Sequence, residues 1–165
     1  MVQLARQTIE TYIREGKTIE VPPELSAEMQ MKAGVFVSLH RKGQLRGCIG
    51  TFSPTTKNVA EEVVRNAIEA STRDPRFSPV RKDELDDLEI SVDVLSAPVP
   101  AQSTKELDAK RYGVIVKSGG RRGLLLPDLP GVNSPEEQIA ICRQKAWIGE
   151  DEPIELFKFE VRRFH

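Results

Sequence analysis

Apolar side chains in the first part of the chain recur with the period of a helix. Residues 2–15 carry them three and four positions apart, and Gly16 suits the position just past a helix end. A similar pattern runs over residues 56–71, with Thr55 or Thr56 as its cap, and stops before Pro75, because the residue preceding a proline avoids helical geometry. Both segments are therefore predicted to be amphipathic helices.

Other stretches show the shorter period of strands. Residues 88–95 alternate apolar and polar side chains, and residues 34–52 contain many β-branched residues around a central glycine, which predicts a hairpin. A three-residue loop, Arg41 to Gly43, keeps the apolar residues and glycines on one face, whereas a two-residue loop would mix the faces. The predicted pairs are Leu39 with Leu45, Val37 with Gly47, Val35 with Ile49, Ser38 with Arg46 and Phe36 with Cys48.

The second half of the chain repeats this order of elements. A hairpin is predicted to turn at Gly119-Gly120, followed by a helix that begins after Ser134 with a capping box, and then by a strand over residues 153–164. A short helix is also predicted after Ser103. An offset of 76 positions aligns the two hairpins and suggests an internal duplication. It places Gly47 on Gly123, Arg46 on Arg122 and Cys48 on Leu124.

The composition is that of a globular protein, with 39% hydrophobic and 30% charged residues in a chain of 165. The 24 Lys and Arg nearly balance the 25 Asp and Glu, so a global positive field for nucleic acid is absent and nucleic-acid binding is not expected. The N-terminal segment has no continuous apolar core, and no run approaches the roughly 20 apolar residues of a membrane span. We therefore expect a cytoplasmic protein with two reduced cysteines and no membrane partner.

Cys48 is the residue with the clearest chemical potential. Two positions before it on the same strand stands Arg46, so both side chains point to one side, and a guanidinium near a thiol favours the thiolate. Gly47 and Gly50 leave room for a ligand or another backbone. Three interpretations stay open: a buried structural thiol, a reactive thiol, and a ligand site without covalent chemistry. The leucine at the aligned position of the second half favours the structural interpretation.

Partners for catalysis or metal binding are scarce in the sequence. In the predicted register His40 lies roughly 13 Å from Cys48, too far to act as its base. The histidines and cysteines show no metal-ligand spacing, and no phosphate-loop or dinucleotide motif is present, so we expect no metal and no cofactor. Lys145, on the last predicted helix, either lies along apolar surface with its stem or binds a ligand.

Several segments together resemble the AMMECR-type domain family, whose prokaryotic form is AmmeMemoRadiSam protein A. They are LRGCIGTF, ASTRDPRFSPV, ELDDLEISVDVLS, GLLLPD and CRQKA, and the resemblance covers residues 2–160. It implies an α+β fold, a single domain of two related hairpin-helix-strand subdomains, about 1–100 and 101–165, packed as one globular unit around a mostly antiparallel sheet. It also implies a genomic association with a Memo-like protein and a radical SAM protein, which are the expected partners.

The resemblance places a site at the RGCIG motif, near a cleft between the subdomains. The matching residues here are Arg46, Gly47, Cys48, Ile49 and Gly50, and Asp74, Arg76 and Phe77 match a second family loop. The chain departs from the family pattern at LPDLPG and at Lys145-Ala146-Trp147, so its ligand can differ.

Two classes of function remain open at this stage. The first is a ligand- or partner-binding component, acting with the Memo-like and radical SAM proteins and taking a small-molecule or anionic ligand. Its expected binding residues are Arg46, Gly47, Cys48, Ile49, Gly50, Asp74, Arg76 and Lys145. The second is an enzyme that uses Cys48 with Arg46 on a small-molecule or nucleotide-like substrate. We favour the first, because no base, metal cluster or cofactor motif accompanies the thiol.

Overall fold

The computed structural model describes residues 1–165, which form two compact units. The first contains Met1–Val94 and Arg162–His165, and the second contains Leu95–Val161. Each unit combines helices with antiparallel strands, so the predicted α+β class is confirmed. None of the helices combines the length and the apolar character that crossing a lipid bilayer requires.

The first unit packs helices against one face of a sheet whose strands are ordered β2-β1-β3. Val35, Val37 and Leu39 of β1 are fully buried on that face, where they join apolar side chains of α1 and α3. A 3-10 turn, Lys82–Asp87, precedes β3. The elements of this unit are α1 (Val2–Glu15), α2 (Ala27–Gln30), β1 (Val35–Arg41), β2 (Gln44–Thr51), α3 (Val59–Thr72) and β3 (Leu88–Leu95, whose last residue belongs to the second unit).

The second unit has a smaller core. Its strands are ordered β6-β5-β7, with β4 paired to β7, and Val114, Val116 and Cys142 are fully buried between the sheet and α4. Its elements are β4 (Val99–Ala101), β5 (Tyr112–Ser118), β6 (Arg121–Leu125), α4 (Pro135–Lys145) and β7 (Glu155–Phe164, whose residues from Arg162 belong to the first unit).

Many local signals in the sequence predict these elements correctly. Gly16 ends α1 in the left-handed conformation, at φ 70°. The second hairpin turns at Gly119-Gly120 and pairs Val116 with Gly123, as predicted. Ser134 caps α4 in a capping box with Glu137, also as predicted.

The predicted register of the first hairpin is wrong. The turn is the two-residue loop Lys42-Gly43, with φ of 52° and 75°, and Arg46 is an extra residue in β2 that forms a bulge. A two-residue loop without a bulge would mix the two faces, and the extra residue restores their separation. The observed partners are Leu39 with Gly47, Ser38 with Cys48, Val37 with Ile49 and Phe36 with Gly50.

Two predicted helix starts also need correction. The cap of α3 is Asn58, whose side chain accepts a hydrogen bond from the Glu61 N–H. The Thr55 hydroxyl instead donates to Glu62, and the Thr56 hydroxyl donates to the Asn58 carbonyl oxygen. The helix predicted after Ser103 is only the 3-10 turn Thr104–Glu106, and the serine side chain makes no cap hydrogen bond.

Candidate functional site

Cys48 lies in the middle of β2, on the face of the sheet opposite the helices. Its direct neighbour on β1 is Ser38, whose hydroxyl donates a hydrogen bond to the Cys48 Sγ over 3.2 Å. The same face carries Phe36 and, on β3, Asp93. Asp93 is 2% exposed and accepts two hydrogen bonds from Arg163, at 2.8 and 2.9 Å. The Cys48 thiol therefore lies on the same face of the sheet as two polar side chains, Ser38 and Asp93.

Asp74 connects the RGCIG and DPRF segments. Its carboxylate accepts a hydrogen bond from the Cys48 backbone N–H at 2.9 Å and two from the Arg76 guanidinium, at 3.0 and 2.7 Å. Arg76 also donates to the Cys48 carbonyl oxygen, over 3.4 Å. Because β2 is an edge strand, this pair of side chains satisfies backbone groups of Cys48 that no neighbouring strand pairs. The hydrogen bonds from Arg76 hold the pKa of Asp74 well below its usual range.

Arg46 is turned away from the thiol by the bulge. Its guanidinium forms a two-pronged pair with Glu84, with both N···O distances 2.9 Å, and it also donates to the carbonyl oxygens of Ser78 and Pro79. Arg41 contacts the same carboxylate at 3.2 Å. Hydrogen bonding from Arg46 lowers the pKa of Glu84 to about 2. The expectation that Arg46 activates Cys48 is therefore wrong: Arg46 fastens the 78–84 segment to β2.

The electrostatic setting does not favour a thiolate. Burial raises the pKa of the Cys48 thiol above its ordinary value, and Asp93 and Asp74 raise it further. The hydrogen bond from Ser38 and the charge of Arg76 act in the opposite direction but do not reverse the shift. At neutral pH the thiol is therefore protonated. Arg76 is the cation whose charge acts on the thiol.

The two glycines of the motif make room for the protein itself. A Cβ on Gly47 would stand 2.2 Å from the Ala70 carbonyl oxygen of α3, and a Cβ on Gly50 would stand 2.2 Å from the Phe36 ring. Ile49 packs against the core on the helix side. The sequence left open whether Gly47 makes room for a ligand or for another backbone, and the close approach of the α3 backbone is the explanation. A Cβ on Gly123 of the second unit would likewise stand 2.1 Å from the Cys142 carbonyl oxygen.

The structure places the charged and thiol residues of the predicted site in three separate locations. Cys48, Asp74 and Arg76 are joined by hydrogen bonds, whereas Arg46 belongs to the Glu84 cluster. Lys145 lies in the second unit, where its ammonium group donates to the Leu124 carbonyl oxygen at 2.8 Å.

Sequence reasoning missed several buried acids. Glu62 is fully buried and accepts hydrogen bonds from Thr51, Thr55 and Thr56, which outweigh the effect of burial and lower its pKa. Glu84, in the run of charges over residues 81–87, and Asp93, on the polar side of β3, are also buried, with 4% and 2% exposure. The available signal for Glu62 was its place on the apolar side of α3, beside Val59 and Val63.

A cavity of about 480 Å³ opens elsewhere in the first unit, between α1, residues 18–21 and α3. No predicted site residue lines it. The structure contains no group of three or more His, Cys, Asp and Glu side chains placed to hold a metal ion.

The fold, together with the RGCIG motif whose backbone is bound by Asp74 and Arg76, defines an α+β domain with a polar cluster at an edge strand. The sequence model of the AMMECR1 family matches residues 2–164, and the chain belongs to this family. A protein of Thermotoga maritima is 51% identical, over 99% of this chain and 95% of its own length. The crystal structure of the uncharacterized protein PH0010 from Pyrococcus horikoshii has a TM-score of 0.88 at 36% identity and covers 98% of this chain and 87% of that one.

A longer relative shows the same domain in a larger protein. A protein of Clostridium acetobutylicum is 52% identical over 98% of this chain, but the match spans only 35% of that protein. In that relative the domain is therefore joined to a further stretch of polypeptide about twice as long.

Proposed function

We propose that the chain is a ligand- or partner-binding component of the cytoplasm, with its binding surface at Arg76 and Cys48. The observation that carries this proposal is the fixed position of Arg76. Asp74 holds the guanidinium through two hydrogen bonds, yet 55% of the Arg76 side chain is exposed to solvent. A charged group that is both held in place and accessible loses little conformational entropy when it binds.

The free donors of Arg76 suggest an anionic ligand group. Asp74 accepts from the backbone N–H, Nε and Nη2, and Nη2 also reaches Cys48, but the Nη1 group donates to no protein atom. A planar guanidinium suits carboxylate and phosphate oxygens. The ligand group is therefore a carboxylate or a phosphate, on a small molecule or on a partner protein.

The proposed partners are a Memo-like protein and a radical SAM protein, which the family resemblance implies. The Clostridium acetobutylicum relative supports a role alongside other proteins, since two thirds of its length lies outside the match.

The alternative, a Cys48-dependent enzyme on a small-molecule or nucleotide-like substrate, has two observations in its favour. Ser38 donates to the thiol and Arg76 lowers its pKa. Burial outweighs both effects, and the Arg46 pair with Glu84 removes the cation on which this alternative was first based. Binding is therefore the better supported function.

A binding measurement with purified Memo-like and radical SAM proteins of the same genome tests the proposal. Arg76→Ala is expected to weaken binding at least tenfold, because a charge-assisted contact contributes about 1.5–3 kcal/mol. Arg76→Lys retains the positive charge but lacks the planar guanidinium donors, so its affinity should lie between those of the wild type and Arg76→Ala. Cys48→Ser should leave binding within about threefold, since Asp74 and Arg76 contact the main-chain N–H and carbonyl oxygen of residue 48, which the substitution does not change.

Arg81→Ala is the matched control, since Arg81 is an exposed arginine of the same loop region paired only with Asp83 through its side chain. It should not change binding. The proposal fails if neither protein binds, or if Arg76→Ala binds as the wild type does while its thermal unfolding shows it to be folded.

A further inference from the structure

The loop that follows α4 presents the single tryptophan of the chain to solvent. Trp147 is 87% exposed, far more than the other large apolar side chains on the surface, and its backbone has φ 56°, in the left-handed region that bulky residues rarely adopt. An exposed tryptophan contributes nothing to the core. Tryptophan is also among the residues that contribute most to protein interfaces.

The rest of this loop is held firmly. Arg121 donates to the Trp147 carbonyl oxygen at 2.6 Å and pairs with Glu152. The Glu152 carboxylate also accepts from the Gly149 N–H at 2.9 Å, and Arg143 donates to the Glu152 carbonyl oxygen at 3.1 Å. Ile148, next to the tryptophan, is buried in the core of the second unit. The indole is therefore presented by a fixed backbone.

Two carboxylates in the same loop have no partner. Glu150 and Asp151 occupy the corner of a turn that the Glu152 N–H closes on the Gly149 carbonyl oxygen, over 3.2 Å. Both side chains are exposed, and neither forms a hydrogen bond or an ion pair. Glu152, in contrast, is fully engaged by Arg121 and Gly149. The surface offered by residues 147–151 is thus one aromatic ring with two uncompensated negative charges.

We infer that residues 147–151 form a docking surface for a cationic segment of a partner protein. The indole face attracts a guanidinium or ammonium group, and the two carboxylates complement further positive charges beside it. A fixed loop binds without an ordering cost, which suits a recognition surface. This surface belongs to the second unit, and it is independent of the proposed site at Arg76.

Because the chain has one tryptophan, its fluorescence reports on this loop alone. The probe is a capped hexa-arginine peptide, and capped hexa-glutamate is the negative control. Hexa-arginine is expected to change the emission of Trp147 in a saturable manner, whereas hexa-glutamate should not. By calorimetry, Trp147→Ala should weaken hexa-arginine binding about twofold to fivefold, the range of an exposed cation–π contact.

A pair of double variants distinguishes binding at this surface from an effect of the net charge of the protein. Glu150→Gln with Asp151→Asn should weaken binding severalfold, whereas Glu24→Gln with Glu136→Gln has the same net charge, alters exposed acids elsewhere and should not. The inference is overturned if hexa-arginine leaves the emission unchanged up to about 1 mM, or if both double variants lose affinity equally. It is also overturned if the wild type self-associates on sedimentation and Trp147→Ala does not, because the surface would then join copies of this chain.

Discussion

Gly47→Ala is expected to lower the free energy of unfolding by about 3 kcal/mol. The added Cβ would stand 2.2 Å from the Ala70 carbonyl oxygen, which belongs to the backbone of α3 and has no flexible end that could move aside. The helix would have to shift away from the sheet, and its buried contacts with β1 would loosen. Chemical denaturation with tryptophan-independent detection, such as circular dichroism, measures the change.

Gly120→Ala is the matched control for this prediction. Gly120 lies in the second hairpin turn, and an added Cβ there would meet nothing within 4 Å. Its unfolding midpoint should stay close to that of the wild type. Gly123→Ala should be destabilised like Gly47→Ala, since its Cβ would meet the Cys142 carbonyl oxygen at 2.1 Å. Equal stability of Gly47→Ala and Gly120→Ala would show that α3 does not press on β2 as described.

Arg46→Met is expected to cost about 2–4 kcal/mol of stability, because it leaves the Glu84 carboxylate with one partner fewer in a buried place. The Glu84 side chain is 6% exposed and that of Arg46 14%. The variant also removes the hydrogen bonds to the Ser78 and Pro79 carbonyl oxygens, so the segment next to the Cys48 edge should loosen. Denaturation gives the stability, and hydrogen exchange of residues 74–80 gives the local effect.

Arg81→Met provides the comparison for Arg46→Met. Its side chain pairs with Asp83 on the surface, where solvent weakens the attraction, so its unfolding midpoint should hardly change. If Arg46→Met is as stable as Arg81→Met, Arg46 does not fasten the loop.

The periodic elements of this fold are predictable because their signals are local. Gly16, Ser134 and the Gly119-Gly120 turn each fix an element through the geometry of a few neighbouring residues. The first hairpin was mispredicted for an equally local reason. A bulge adds one residue without a composition signal, and Arg46 in the bulge changes which residue faces Cys48.

The candidate site was predictable only in part. The sequence and the family resemblance indicate the RGCIG and DPRF segments, and the structure joins them through Asp74. The partners of Arg46 could not be inferred, since Glu84 lies 38 positions away in a run of charges typical of a solvated surface. The same holds for Glu62, whose burial depends on a loop folding over its carboxylate.

The pH dependence of Cys48 alkylation tests most directly whether the motif holds a structural thiol or a nucleophile. Iodoacetamide labelling, followed by mass spectrometry of the Cys48 peptide, gives the rate at each pH. We expect an inflection above that of a free thiol, because burial raises the pKa of Cys48. Cys142, which is fully buried with its pKa raised to about 12, is the internal control and should stay unlabelled until the protein unfolds. Rapid labelling of Cys48 with an inflection below about pH 7, the range of activated cysteines, would contradict the account.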